Sequence, residues 1–388
     1  MRVLFLDQTG KLAGAERVLL DIAALYKKNC LVALFEDGPF RYALQDMDVP
    51  VRILADSPIE VRRESNLLQA LQGTFKLLPL VQQTISLSKQ YDLICVNTPK
   101  ALVVGSIASY FSRRPMVYHL HDILTPDHFS NNNRRLMVAL ANRFATQIMA
   151  VSEAARNAFI QAGGRPEIVQ VIYNGFEFEK FQGHTAASQL LRKELDIEEK
   201  FVVGHFSRLS PWKGQHVLIE ALLDCPDHIH ALIVGDALFG EDDYVQQLHQ
   251  QVKQSRLSSR VQFLGFRTDV PQLMAACDVV AHTSTSPEPC ARVLIEAMLS
   301  GKPLVASEDG GTLEIIKDRL TGWFVPPGDA EALAKVILSL SKQPGMMQEV
   351  AENAQQDARI RFTLSAAREN VDLVLREAVT TSNAYKKM

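Results

Sequence analysis

The chain has 388 residues, 47% hydrophobic and 22% charged, with a formal net charge of −3. This length exceeds one ordinary core and predicts two domains of roughly 150 to 200 residues each, and the small net charge gives no footing for nucleic acid. Five cysteines (Cys30, Cys95, Cys225, Cys277, Cys290) are odd in number and lack metal-ligand spacing, so they read as buried thiols in a reducing cytosol.

The opening run Val3–Asp7 reads as a strand rather than a leader, and no apolar run reaches the roughly 18 residues of a membrane span. Helical periodicity over Ala15–Lys27 follows, then the strand Leu31–Phe35, a Leu-rich helical stretch around Leu67–Leu87 and the strand Leu93–Asn97. Next come Val117–His121, a helix near Arg134–Phe144, Ile148–Ser152, a helix from Glu153, and Val169–Asn174. The alternation pauses over residues 175–200. It resumes with Phe201–Phe206, a helix at Gly214–Leu223, Ala231–Gly235, a helix near Tyr244–Ser255, Val261–Leu264, Val279–His282 and Leu304–Ala306. Short β-branched runs between amphipathic helices predict parallel sheets covered on both faces. We expect two doubly wound domains, 1–178 and 179–359, with a helical segment from about Met346 to Ala378 after a break at Pro344-Gly345. Its end, residues 360–388, is expected to pack back on the first domain.

Ligands of such sheets bind beyond the carboxyl ends of the strands, and the suggestive residues fall there. Glu288 and Glu296 follow the strand Val279–His282, the first in a Pro-rich loop and the second on a helix predicted over Ala291–Leu299. Carboxylates beside a helix N-terminus would repel bare phosphate but grip hydroxyls next to one, which points to a sugar nucleotide. The alternative is two surface charges. Arg208 and Lys213 lie on the loop after Phe201–Phe206, and a guanidinium fork with an ammonium suits a diphosphate. Gly310-Gly311, after Leu304–Ser307, is expected to offer bare amides near the start of a helix over Leu313–Lys317. In the first domain, the loop with Gly10 and Gly14 is not G-x-G-x-x-G, which argues against NAD. Its glycines would let backbone approach a ligand. His119 and His121 share one strand face, and His121 at the strand end is the better placed for a cleft. Asn174-Gly175 reads as a turn into the linker. Neither nucleophile-triad nor zinc spacing surrounds the histidines.

Taken together, these residues resemble the retaining glycosyltransferases of family 4. The carrying motifs are Gly-Ala-Glu at 14–16, Val-Ser-Glu at 151–153, Asn-Gly at 174–175, Arg208…Lys213-Gly214 and Val-Gly-Asp at 234–236. Phe-Leu-Gly-Phe at 263–266, Glu288 with Glu296 eight residues on, Gly310-Gly311 and Thr-Gly-Trp-Phe-Val-Pro-Pro-Gly at 321–328 complete them. The resemblance spans nearly the whole chain. It implies the α/β GT-B fold, two Rossmann-like parallel-sheet domains facing each other across a cleft. It also implies transfer of a sugar, with retention, from a UDP- or GDP-sugar to a hydroxyl of a saccharide, lipid-linked or small-molecule acceptor. No cofactor and no metal are implied. Arg208 and Lys213 would hold the diphosphate, Glu288 the transferred sugar and Glu296 the ribose. Main-chain amides of Cys290, Ala291, Arg292 and Val293 would lie near sugar and phosphate. Phe266 and Arg267 would flank the base, His121 would sit by the sugar's 6-position, and Gly14 would lie against the diphosphate. The family commonly has Gly where Ala291 stands, which puts the donor sugar in question.

Residues 111–143 hold five arginines (Arg113, Arg114, Arg134, Arg135, Arg143) against Asp122 and Asp127. This basic surplus is compatible with peripheral contact on anionic lipid at the inner face of the plasma membrane, in an otherwise cytoplasmic protein. The rival readings are a sugar-nucleotide epimerase or phosphorylase on a similar scaffold, and a nucleotide-sugar-binding protein without turnover.

Overall fold

The computed structural model describes residues 1–55, 67–238 and 240–387, with the side chains of 67–77 and 383–387 left out. The chain divides into two compact units, one of Met1–Gly175 with Leu364–Met388, the other of Phe176–Thr363. The first holds seven strands: β1 Val3–Asp7, β2 Cys30–Leu34, β3 Val51–Ile53, β4 Leu93–Val96, β5 Met116–Leu120, β6 Ala145–Ala150 and β7 Val169–Val171. All pair in parallel in the order β3-β2-β1-β4-β5-β6-β7. The second holds β8 Phe201–Phe206, β9 Ile229–Val234, β10 Val261–Gly265, β11 Val279–His282, β12 Leu304–Ser307 and β13 Trp323–Val325, also parallel. Their order is β10-β9-β8-β11-β12-β13. Both orders reverse direction at one point, between β1 and β4 and between β8 and β11. These switch points open a crevice at the carboxyl end of each sheet.

Central strands are apolar without alternation because helices cover both faces: every residue of β1 and of β9 is buried. The helix Gly14–Ala23 turns Val18, Leu19, Ile22 and Ala23 inward, and the Glu16 carboxylate accepts from the Ala13 backbone N–H at 3.0 Å, satisfying a helix-entry donor. Ser152, in the Val-Ser-Glu motif, caps the helix Glu153–Gln161 through Ala155 N–H at 3.0 Å.

The C-terminal region departs from the expected single helical segment. A break does precede it, between the helices Ala330–Ser341 and Pro344–Arg361, and Pro344 opens the second at a position where its missing N–H costs nothing. The chain turns at Phe362-Thr363, and Leu364–Lys387 is a separate helix of the first unit. It places Val371, Val374, Leu375 and Ala378 in that unit's core beside Phe5, Cys95 and Met149. The Tyr26 hydroxyl donates to Asp372 at 2.5 Å, and Arg368 donates to the Asp21 carbonyl at 2.8 Å. Several strands end earlier than the apolar runs imply: β5 stops at Leu120, leaving His121 just beyond it, and β7 stops at Val171. No described helix is long and apolar enough to cross a membrane.

Candidate functional site

The switch point of the second sheet gathers four of the predicted residues. From β8 the chain enters a loop with one 3₁₀ turn, Pro211–Lys213, and then the helix Gln215–Ala221. Three buried side chains fix this loop. Gln215 donates to the Arg208 carbonyl at 2.9 Å and to Ser207 Oγ at 2.8 Å. Thr283, just past β11, donates to the Gly214 carbonyl at 2.7 Å and is itself met by His205 Nε2 at 3.0 Å. Burial pushes the His205 pKa down to about 3, so the ring is neutral. Gly214 has φ +71°, and a Cβ there would stand 1.8 Å from the Thr283 carbonyl oxygen, so only glycine lets the loop lie on β11.

This fixation delivers Lys213 to Glu288. Lys213 Nζ lies 2.5 Å from Glu288 Oε1, and both side chains are largely buried. His282, the last residue of β11, places Nε2 2.7 Å from the same oxygen, and the Ser284 hydroxyl donates to it as well. Burial pushes the Glu288 carboxyl up, but Lys213 and His282 outweigh it and hold the group well below the usual carboxylate range. For Lys213, burial works against the ammonium and lowers its pKa, with Glu288 opposing. Lys213 also lies 4.2 Å from the centroid of the Trp212 ring, and the Arg208 guanidinium 5.5 Å from it, so the indole collects both cations.

The helix after Glu288 spans Arg292–Leu299, with Ala291 at its N-cap. Ala291 has φ −81°, so a side chain is accommodated there without backbone strain. The Arg292 amide donates to the Cys290 carbonyl at 3.1 Å, and Val293 follows in the first turn. Arg292 Nε sits 3.9 Å from Glu296 Oε1, and its guanidinium stacks 4.4 Å from the Phe176 ring. Beyond β10, Phe266 is exposed, while Arg267 is engaged bidentately by Asp269 at 2.8 and 2.6 Å.

The expectation for Gly310-Gly311 fails. Their amides are not bare: Gly310 N–H donates to Asp309 Oδ1 at 2.7 Å and Gly311 N–H to the Glu288 carbonyl at 2.7 Å. A Cβ on Gly310 would meet the Glu288 carbonyl oxygen at 2.6 Å, so these glycines let the β12 turn lie against the Glu288 loop. They shape the Glu288 loop, with both amides already engaged. Gly10 departs similarly, its close approach being to the backbone of Asp37 and Gly38.

The carboxyl end of the first sheet carries a different set. Asn97, just past β4, donates to Asp7 Oδ2 at 2.7 Å, and its Oδ1 lies 2.8 Å from His121 Nε2. The His119 and His121 rings lie 4.0 Å apart between centroids. Burial, with the charge of Glu16 adding, pushes the Asp7 carboxyl up to about 8, and burial raises Glu16 and takes Asp122 to about 6. Gly14 is the first residue of its helix here. No group of three or more His, Cys, Asp or Glu among the described residues is arranged to hold a metal ion.

Thus the fold unites Lys213 with Glu288 and Arg292 with Glu296, and it places His121 and Gly14 in the other unit. Sequence reasoning passed over His282, Ser284, Thr283, Gln215, Asp7 and Asn97. The available signal was a polar residue at or just beyond the end of an apolar strand, which marks His282, Asp7 and Asn97.

Comparison with known proteins places each of the two units in a family. Residues 187–357 match the model for glycosyl transferases group 1, and residues 13–175 match the glycosyl transferase 4-like domain. The crystal structure of Anabaena Alr3699/HepE with UDP-glucose is 48% identical, with a TM-score of 0.91 over 97% of this chain and all of that one. The putative glycosyltransferase YtcC of Bacillus subtilis is 28% identical over 61% of this chain, and the capsular polysaccharide biosynthesis glycosyltransferase CapM of Staphylococcus aureus 24% over 79%. The match spans 62% of the length of YtcC and 57% of that of the Bacillus spore coat protein SA.

Proposed function

Because this chain belongs to the group 1 glycosyltransferases with a family 4-like first domain and the GT-B fold, we propose that it transfers a sugar from a nucleoside-diphosphate sugar to an acceptor hydroxyl. The observation that carries this reading is Lys213, held with Glu288 at the switch point of the second sheet. An ammonium and a guanidinium on a fixed loop stabilise a departing diphosphate, where charge develops as the glycosidic bond breaks. We assign that work to Lys213 and Arg208, without a metal and with no cofactor. Glu288 grips the transferred sugar, Glu296 the ribose, Phe266 and Arg267 the base, and the turn Cys290–Val293 the phosphate. His121 serves the reacting centre and Gly14 the diphosphate. The reaction proceeds with retention, the acceptor attacking the face that the diphosphate leaves.

Among donors we favour a UDP-sugar over a GDP-sugar, since the 48% identical HepE was solved with UDP-glucose and also with UDP. The acceptor is a saccharide, a lipid-linked sugar or a small molecule of envelope polysaccharide, lipopolysaccharide or glycolipid synthesis. Incubation with UDP-, GDP- and ADP-sugars, with and without such acceptors, tests this. Acceptor-dependent release of nucleoside diphosphate supports transfer. Interconversion of the donor sugar, or binding without turnover, contradicts it.

A peripheral membrane location completes the proposal. The helices Pro99–Ser112 and Asn131–Phe144 pack together in the first unit, and neither contains an acidic residue. Tyr110 and Phe111 are 63% and 62% exposed, and Tyr110 meets Phe144 edge-on beneath the Arg143 guanidinium. Exposed aromatics among arginines suit an anionic lipid surface. The wild-type chain is expected to cosediment with phosphatidylglycerol vesicles but not phosphatidylcholine vesicles, and Phe111→Ser to lose most of that binding. Equal recovery on both vesicle types contradicts the assignment.

A further inference from the structure

Glu288 receives three donors, and all three end on one oxygen. Lys213 Nζ, His282 Nε2 and Ser284 Oγ each reach Oε1, so among the described residues Oε2 is the oxygen the protein leaves unused. The state of His282 follows from its surroundings. Its Nδ1 is buried and has no hydrogen-bond partner among the described residues. Its Nε2 faces a carboxylate oxygen, which can only accept, so Nε2 carries a hydrogen and donates it to Glu288. Ser284 Oγ, 3.2 Å from that nitrogen, then has no acceptor on it and turns its hydroxyl hydrogen to the carboxylate.

The anchor belongs to the sheet and the carboxylate to a loop. His282 ends β11, paired in parallel with β12 through His282 and Ala306. Glu288 stands six residues on, in an irregular loop between Pro287 and Pro289. We propose that His282 is a positioning residue for sugar recognition: it pins Oε1 of Glu288 to the end of the central strand, so that Oε2 faces the hydroxyls of the transferred sugar. Ser284 assists on the same oxygen. This rests on the reading of Glu288 as the sugar-binding carboxylate.

The test separates sugar from nucleotide. Calorimetric Kd values for UDP-glucose and for UDP are measured on the wild-type chain, His282→Leu, His282→Gln, Ser284→Ala and Glu288→Ala. His282→Leu is expected to weaken UDP-glucose about tenfold or more while UDP stays within about twofold, because one hydrogen bond to a charged group is lost. The Gln variant, whose amide nitrogen reaches about as far as Nε2, recovers most of the loss. Ser284→Ala, the milder change, shifts the same ratio about threefold in the same direction and keeps the proposal testable should the Leu variant not fold. Equal weakening of both ligands by His282→Leu, or no weakening, overturns the positioning role. If Glu288→Ala also leaves the UDP-glucose to UDP ratio unchanged, or wild type binds neither ligand, the underlying donor reading falls too.

Discussion

The carboxyl ends of the two sheets bury acids in opposite electrostatic settings. Beside β11, Glu288 is buried with Lys213 and His282 and is held well below the usual carboxylate range. Beside β1, Asp7 is buried as deeply, yet its pKa is pushed up to about 8, and its charged neighbour is another acid, Glu16. Desolvation acts on both and favours the neutral form. What differs is the cation. One end is a preformed ion pair; the other holds acids whose neutral forms burial favours, with Asp7 joined to His121 by the amide of Asn97. Burial alone therefore says little about a site; the sign of the nearest partner decides its chemistry.

The sharpest way to break this contrast is to remove the cation. Lys213→Ala leaves Glu288 buried without its main counter-charge, and breaking such a pair costs about 3 to 5 kcal/mol. Adding Glu288→Gln should return much of it, which chemical denaturation of the single and double variants measures. A Lys213→Ala chain as stable as wild type would show that the pair is solvated.

The next test sits at the other sheet. Asp7 carries a folded-state pKa of about 8 against an ordinary 3.8. Its neutral form is favoured by the fold, so its contribution is full below about 4 and is lost as pH rises through about 8. Denaturation of the first unit should thus become easier over that window, and Asp7→Asn should flatten the slope by at least about 1 kcal/mol. An unchanged slope would mean that Asp7 is charged throughout. Asp122, with a folded pKa of about 6, obeys the same sign over a narrower range. Asp122→Asn should flatten only the part between about 4 and 6, by less.

Much of the architecture was legible in the sequence because these sheets are buried on both faces. Uninterrupted apolar runs marked β1, β8 and β11 residue for residue. The edge strands β3 and β13, three residues each, escaped; β3 is half-exposed and carries Arg52. The helix Pro99–Ser112 escaped because it is buried at so many positions that no polar face gives it a period. At the site, position after a strand drew attention to Arg208 and Lys213 on the loop after β8, and to Glu288 and Glu296 on the loop and helix after β11. It could not reveal that Gly310 presses on the Glu288 backbone from 22 residues away, or that His282 holds its carboxylate. Those are contacts made by the sheet, between segments with no shared local pattern.

The most direct test of the account is turnover by Lys213→Ala, assayed as acceptor-dependent release of UDP from a UDP-sugar beside the wild-type chain. If Lys213 stabilises the departing diphosphate, kcat falls by about two to three orders of magnitude or more. Activity near that of the wild type would contradict the placement of the donor at the Lys213–Glu288 pair.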